Sequence, residues 1–381
     1  MTIPLTRPLL PPLQEFIPYL EQVWASGMLT NGGAMHQALE DALKQHLGVG
    51  HLALTSNGTM ALLLALRVLG ITGEVITTPY SFVATAHSLL WSGITPVFVD
   101  IDPVTLNMDP ARIEAAITPR TRAIMPVHCY GTPCDTATIG RIARDHGLKV
   151  IYDAAHAFGV EDEGGSILRH GDLSILSFHA TKVFNTFEGG AVVCHDEETA
   201  TQLGRLRNFG FVNETTVSSI GINAKLNEVS AAFGLLQLWH IEQALERRRH
   251  VDAAYRQRLS GITGLRCLPS SAETRPNHAY FPILLNGDFP MTRDALYGLL
   301  RDREIMVRRY FHPLISAFPM YADLPSATPE NLPAANAVSS QVLCLPIFPD
   351  MKDEEIDVIT TFIREASQRR PEPELSNQGS P

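Results

Sequence analysis

The sequence predicts an α/β fold: a large domain on a mostly parallel sheet, followed by a smaller C-terminal α+β domain. Three observations predict it. From His51 to Cys194, short apolar runs alternate with helical patterns, the rhythm of strands joined by crossover helices and covered on both faces. The composition changes at Gly261-Ile-Thr-Gly264, after one long helical pattern over 226–259. Reactive polar residues recur just past the ends of several predicted strands, where open α/β sheets bind their ligands.

The elements follow in order. Pro4, Pro8, Pro11 and Pro12 keep the start of the chain extended. Phe16, Tyr19, Leu20 and Val23 then recur at helical spacing, Leu29-Thr-Asn-Gly-Gly33 breaks the pattern, and Leu39, Leu43 and Leu47 mark a second helix. Strands are expected at 51–55, 74–78, 96–100, 122–127 and 149–153, with helices at 58–69, 81–91 and 135–146. Two further strands, 173–176 and 191–194, flank a polar loop. In the smaller domain the pattern gives a strand at 280–285, a helix at 292–303, a proline-rich loop over 313–333, a strand at 342–345 and a helix at 353–365. The expected division is 1–250 for the large domain with its N-terminal arm and 251–367 for the small one. The polar, proline-rich tail 368–381 is expected to be disordered.

A length of 381 residues, 45% of them hydrophobic, suits a two-domain globular protein. The net charge of −10, with no basic run longer than Arg247-Arg248-Arg249, argues against a nucleic-acid partner. Five cysteines without a Cys-x-x-Cys pair read as reduced thiols of a cytoplasmic protein. No signal peptide is recognisable, and no apolar stretch is long enough to span a bilayer, so no membrane partner is expected.

The chemistry centres on Ser177-Phe-His-Ala-Thr-Lys182, continued by Val-Phe-Asn-Thr-Phe-Glu-Gly-Gly190. Alone, a loop lysine is an ordinary surface residue. Here Ser177, His179, Thr181, Asn185 and Glu188 crowd one amine, and Gly189-Gly190 permits another chain to approach closely. Lysine forms Schiff bases with aldehydes once deprotonated, so pyridoxal phosphate is the leading cofactor. Ser56-Asn-Gly-Thr-Met60 turns a strand into a helix, whose first amides, at Thr59 and Met60, suit a phosphate. Asp153 ends a strand and could pair with a protonated pyridine nitrogen, with His156 three residues on. Phe82 could stack on a flat ring. Taken singly, each has an everyday alternative: a helix cap, a core histidine, a core aromatic. Their joint order along one sheet favours the cofactor site.

Leu29-Thr-Asn-Gly32, Ser56-Asn-Gly-Thr-Met-Ala-Leu62, Tyr152-Asp-Ala-Ala-His-Ala157, Ser177-Phe-His-Ala-Thr-Lys182, Glu188-Gly-Gly190 and Gly221-Ile-Asn-Ala-Lys-Leu-Asn-Glu228 together resemble the DegT/DnrJ/EryC1/StrS sugar aminotransferases, from about residue 3 to 365. The resemblance implies a fold-type I pyridoxal 5'-phosphate enzyme acting on a nucleotide-linked keto sugar. It implies Lys182 as the cofactor-bearing lysine and proton shuttle, Asp153 at the ring nitrogen, His156 near the phenolic oxygen and Phe82 on the ring face. Thr59, Met60 and Ser177 would hold the phosphate, and Asn223 would reach it from the second subunit of a homodimer. Family dehydratases carry histidine where Lys182 stands, so the lysine argues for amino transfer. The loop after Lys182 is most similar to the branch that makes dTDP-4-amino-4,6-dideoxyglucose from dTDP-4-keto-6-deoxyglucose, with L-glutamate as amino donor. Phe184, Asn185, Lys225, Arg308, Tyr310 and His312 are the candidate substrate contacts. A 3-keto or UDP-linked sugar, or a cofactor-binding regulator without turnover, are the alternatives.

Overall fold

A computed structural model describes residues 2–270 and 273–369. The tail expected over 368–381 therefore lies outside the described residues from 370 onward. The seven strands of the main sheet are β1 (His51–Thr55), β2 (Glu74–Thr77), β3 (Thr95–Phe98), β4 (Thr121–Met125), β5 (Lys149–Asp153), β6 (Leu173–Ser177) and β7 (Gly190–Cys194). They lie in the order β1-β7-β6-β5-β4-β2-β3. β3, β2, β4, β5 and β6 run parallel, while β7 is antiparallel to both β6 and β1.

Alternation along the strands assigns the two faces. Leu52, Leu54, Leu176, Ala191 and Val193 enter a core shared with helices α1 (Leu13–Ser26), α2 (Ala34–Leu47) and the first half of the long helix 228–259. Ala53, Leu173, Ile175, Val192 and Cys194 face the opposite core, with α3 (Gly58–Val68), α4 (Ala84–Trp91) and helix 197–206. Each strand thus buries both faces, which is why it reads as a nearly continuous apolar run. α5 (Thr136–His146), capped by Asp135 through the Thr138 amide at 3.0 Å, covers β4 and β5. In chain order the next two helices are α6 (Glu197–Leu206) and α7 (Glu228–Leu259).

The second sheet is antiparallel: β8 (Leu265–Cys267), β9 (Phe281–Leu285) and β10 (Val342–Leu345). It packs with α8 (Arg293–Asp302), α10 (Asp353–Ser367) and the second half of α7 through Val251, Tyr255 and Leu259. α9 (Pro333–Gln341) precedes β10. Residue 250, the expected boundary, falls inside α7, whose two halves serve the two cores. At its start, the buried Glu228 carboxylate accepts the Met35 and His36 amides at 2.9 and 3.2 Å and so caps α2. No helix among the described residues is long and apolar enough to cross a membrane.

Candidate active site

A cavity of about 340 Å³ opens at the carboxyl ends of β5 and β6. Its floor is the loop that joins β6 to β7. Ser177 and Gly190 face each other in register where the two strands part. The loop between them folds on itself: Phe178 donates its amide to Gly189 O at 2.8 Å, Thr186 to Phe178 O at 2.9 Å and Lys182 to His179 O at 2.8 Å. Phe178 and Phe184 are fully buried, and Phe184 stacks on Phe158 with centroids 4.6 Å apart. Two aromatic anchors thus root a polar loop and hold Lys182 still.

Lys182 as a residue is only partly buried, because its stem borders the cavity, but its ammonium lies deep. Desolvation pulls it from 10.5 down to about 8, against the opposing charges of Asp153 and Tyr310. Asp153, buried at the end of β5, accepts the Thr85 hydroxyl at 2.8 Å and the Ala155 amide at 3.1 Å. Burial raises its pKa, while those two bonds and Lys182 oppose the rise. His156 is buried and held well below its usual range, first by desolvation and then by Lys182. Its Nδ1 accepts the Tyr130 amide at 3.2 Å. That bond assigns the proton of the neutral ring to Nε2, a donor beside the cavity.

The anion end of the site is the start of α3. Asn57 caps the helix by accepting the Met60 amide at 2.9 Å. Met60, expected to offer that amide to a phosphate, has it occupied by the cap, and its side chain packs against the core. The amides of Gly58 and Thr59 make no hydrogen bond among the described residues. Both line the cavity together with Ser177. The cradle is tight: a Cβ on Gly190 would stand 2.7 Å from the Asn57 carbonyl, and one on Gly58 2.9 Å from Ser177 Cβ. Phe82, 57% exposed, forms another wall.

The remaining sequence candidates divide. Arg308 and Tyr310 lie on the cavity wall. His312 does not; it lines an adjoining cavity, shared with Arg308 and Tyr310, where it contacts Ser339 Oγ at 3.1 Å. Phe184 is committed to the core stack and is not on the wall. Asn185 is also buried behind the loop, and its Nδ2 has no partner among the described residues. Lys225 bonds Asn208 Oδ1 at 2.9 Å, away from this cavity. Asn223 is exposed and likewise off its wall. Thr85, Tyr130 and Tyr280, which the sequence did not single out, contact the central residues. Their only signal is spatial.

A model of the DegT/DnrJ/EryC1/StrS aminotransferase family matches residues 13–364. The chain belongs to this family. It is 55% identical over 360 residues to the dTDP-4-amino-4,6-dideoxy-D-glucose transaminase of Shigella dysenteriae, covering 94% of this chain and 98% of the relative. The transaminase of the same name from Escherichia coli is 51% identical over 363 residues, 95% and 98% of the two chains. Among solved structures, DesI with its TDP-sugar product superposes with a TM-score of 0.92 at 35% identity, covering 97% of this chain and 93% of that one. Helicobacter pylori PseC, an aminotransferase of pseudaminic acid biosynthesis, gives 0.90 at 29%, covering 96% and 98%. As in the rest of the DegT/DnrJ/EryC1/StrS family, the cofactor is pyridoxal phosphate. The site suits it: two free helix-start amides and a serine hydroxyl for a phosphate, a buried carboxylate, a neutral imidazole donor, and a lysine with a depressed pKa.

Proposed function

We propose that this enzyme transfers an amino group from L-glutamate to C4 of dTDP-4-keto-6-deoxy-D-glucose, giving dTDP-4-amino-4,6-dideoxy-D-glucose and 2-oxoglutarate. The observation that carries the reading is near-full-length identity of 55% and 51% to two transaminases named for that amino sugar, in a chain whose Lys182 lines the cavity. Five unpaired thiols, four of them buried, suit a cytoplasmic enzyme.

Bound pyridoxal phosphate supplies the electron sink that makes the carbon–hydrogen bond next to nitrogen acidic. The chain's residues do the rest. The amides of Gly58 and Thr59, aided by the α3 dipole, and Ser177 Oγ hold the phosphate. Asp153 pairs with the ring nitrogen as a carboxylate, oriented by Thr85 and the Ala155 amide. Beside a ring cation the carboxylate would be favoured over the acid, which would offset the effect of burial on Asp153. His156 would offer its Nε2–H as a hydrogen bond to the phenolic oxygen, and Phe82 would cover one ring face. Lys182 Nζ would take the proton from the glutamate α-carbon and return it on the cofactor side of the same nitrogen, and in the second half-reaction it would move a proton back across that nitrogen to C4 of the sugar. A pKa of about 8 leaves a usable neutral fraction near neutral pH. Arg308, exposed at the cavity mouth, and Tyr310 serve the diphosphate end of the substrate. The working unit is a homodimer in which Asn223 serves the site of the other copy; its exposure away from its own cavity supports this.

An absorbance spectrum of the holoenzyme tests the reading. The yellow band should bleach with L-glutamate and return with dTDP-4-keto-6-deoxy-D-glucose. Recovery only with a UDP-linked or 3-keto sugar would move the substrate and keep the transaminase. A band that glutamate leaves untouched would remove the donor.

A further inference from the structure

Tyr280 stands just before β9, and nothing in its local sequence marks it. Its hydroxyl lies 3.4 Å from Lys182 Nζ, and no other side chain hydrogen-bonds that amine among the described residues. We infer that Tyr280 is a positioning residue that holds the released amine of Lys182 in line through both of its protonation states. The inference rests on the transaminase reading given above.

Its first support is how firmly the tyrosine is placed. Asn277 is buried and donates Nδ2 to the carbonyls of His156 and Phe158 at 2.8 and 2.9 Å. Its Oδ1 accepts the Ala279 amide at 3.1 Å. The segment 277–279 is thereby strapped to the backbone that carries His156. From the other side the buried Arg248 of α7 reaches the His278 and Ile347 carbonyls at 3.4 and 3.3 Å. The Tyr280 ring meets His156 at 4.8 Å and stands edge-on to Tyr310 at 5.9 Å between centroids. A side chain fixed this way presents its hydroxyl at one point.

The second support is chemical. A hydroxyl both donates and accepts. It accepts from the ammonium and donates to the neutral amine, so one contact follows Lys182 as it gains and loses a proton. Asp153 as a carboxylate can only accept, and the Nε2–H of His156 can only donate. Desolvation raises the Tyr280 pKa, outweighing the nearby Arg248, so the hydroxyl stays protonated across the working range. The titratable groups that face this pair are Asp153, His156 and Tyr310 around Lys182, and Cys344, Cys129 and Arg248 around Tyr280.

The test compares Tyr280→Phe, which keeps the ring, with Tyr280→Leu, which removes it. Two readouts are taken. Single-turnover rates of both half-reactions should fall about tenfold or more in Tyr280→Phe, with the KM for L-glutamate within about twofold. In cofactor-free protein, the pH midpoint for acetylation of Lys182, followed by peptide mass spectrometry, should move down, because the ammonium loses an acceptor. Tyr280→Leu should show both changes and also a lower Tm. Wild-type rates and a wild-type midpoint in Tyr280→Phe would overturn the inference. So would changes confined to Tyr280→Leu, which would make the ring a packing element only. If the wild-type protein fails to transaminate, the parent reading falls, and the Lys182 midpoint still decides the contact.

Discussion

Burying an ammonium is unfavourable, and in cofactor-free protein Lys182 carries that penalty. Desolvation takes its pKa from 10.5 to about 8, with Asp153 and Tyr310 only partly opposing. Between those two values the folded protein binds fewer protons at this site than the unfolded chain. The penalty is therefore full below about pH 8 and fades as the pH rises towards 10.5. A shift of this size corresponds to roughly 3 kcal/mol at most. Lys182→Met should accordingly stabilise the cofactor-free protein at pH 7 by up to roughly 3 kcal/mol while abolishing turnover. Urea unfolding at pH 7 and near pH 10.5 checks this: the advantage should be present at the first and nearly gone at the second. Asp153→Asn isolates charge from shape, since its amide oxygen can still accept from Thr85. It should keep the Tm within a few degrees and lose about a hundredfold or more in rate, because a neutral amide cannot hold a ring cation. An unchanged rate would remove Asp153 from the ring nitrogen.

The loop between β6 and β7 is the element on which the site depends, and two of its residues separate anchoring from contact. Phe184→Leu should lower the Tm, since the stack on Phe158 and the edge contact with Phe178 are both lost. Trimming a buried aromatic this way costs about 1–3 kcal/mol. The KM for the nucleotide sugar should not move at temperatures where the variant is folded; a selective rise in that KM would return Phe184 to the substrate. Gly190→Ala acts at the cradle, placing a methyl 2.7 Å from the Asn57 carbonyl and 2.8 Å from the Gly58 nitrogen. The turn must shift, costing about 1–3 kcal/mol. Pyridoxal phosphate should bind about tenfold more weakly, measured by titration of the cofactor absorbance. These cases also mark where the sequence stops being legible. Strands buried on both faces and helices opened by Asn57, Asp135 or Asn227 carry local signals, and the site residues at strand ends inherit them. Whether a loop phenylalanine points into the cavity or the core has no local signal, so the sequence offers Phe184 to the substrate while the fold gives it to the core. A cap and a phosphate turn share one sequence pattern, and for the Met60 amide only the 2.9 Å bond to Asn57 separates them. Thr85 and Tyr280 act across 68 and 98 residues of chain, a distance that no periodicity spans. The direction of β7 is likewise a property of pairing, invisible in an apolar run.

At the scale of the whole molecule, the position of Asn223 bears on how one chain's site is completed. Among the described residues, the wall of the cavity comes from both sheets' surroundings, with Ser177 and Lys182 on one side and Tyr280, Arg308 and Tyr310 on the other. Asn223 stays outside it, exposed on the segment that bridges to Asn208. Large apolar side chains are exposed in the same region, with Ile220 at 79% and Trp91 at 84%, both lining a groove that includes Ile222. Such a patch suits burial against a second copy. The proposed dimer makes a sharp prediction. Asn223→Ala and Lys182→Ala should each be severely impaired alone. Mixed, unfolded together and reassembled, they form hybrids in which one site has lost both residues and the other has both intact. Random pairing makes half the dimers hybrid, each with one working site of two, so activity should recover to roughly a quarter of wild type. If Asn223 instead served the cavity of its own chain, every hybrid site would lack one residue or the other, and mixing would restore nothing.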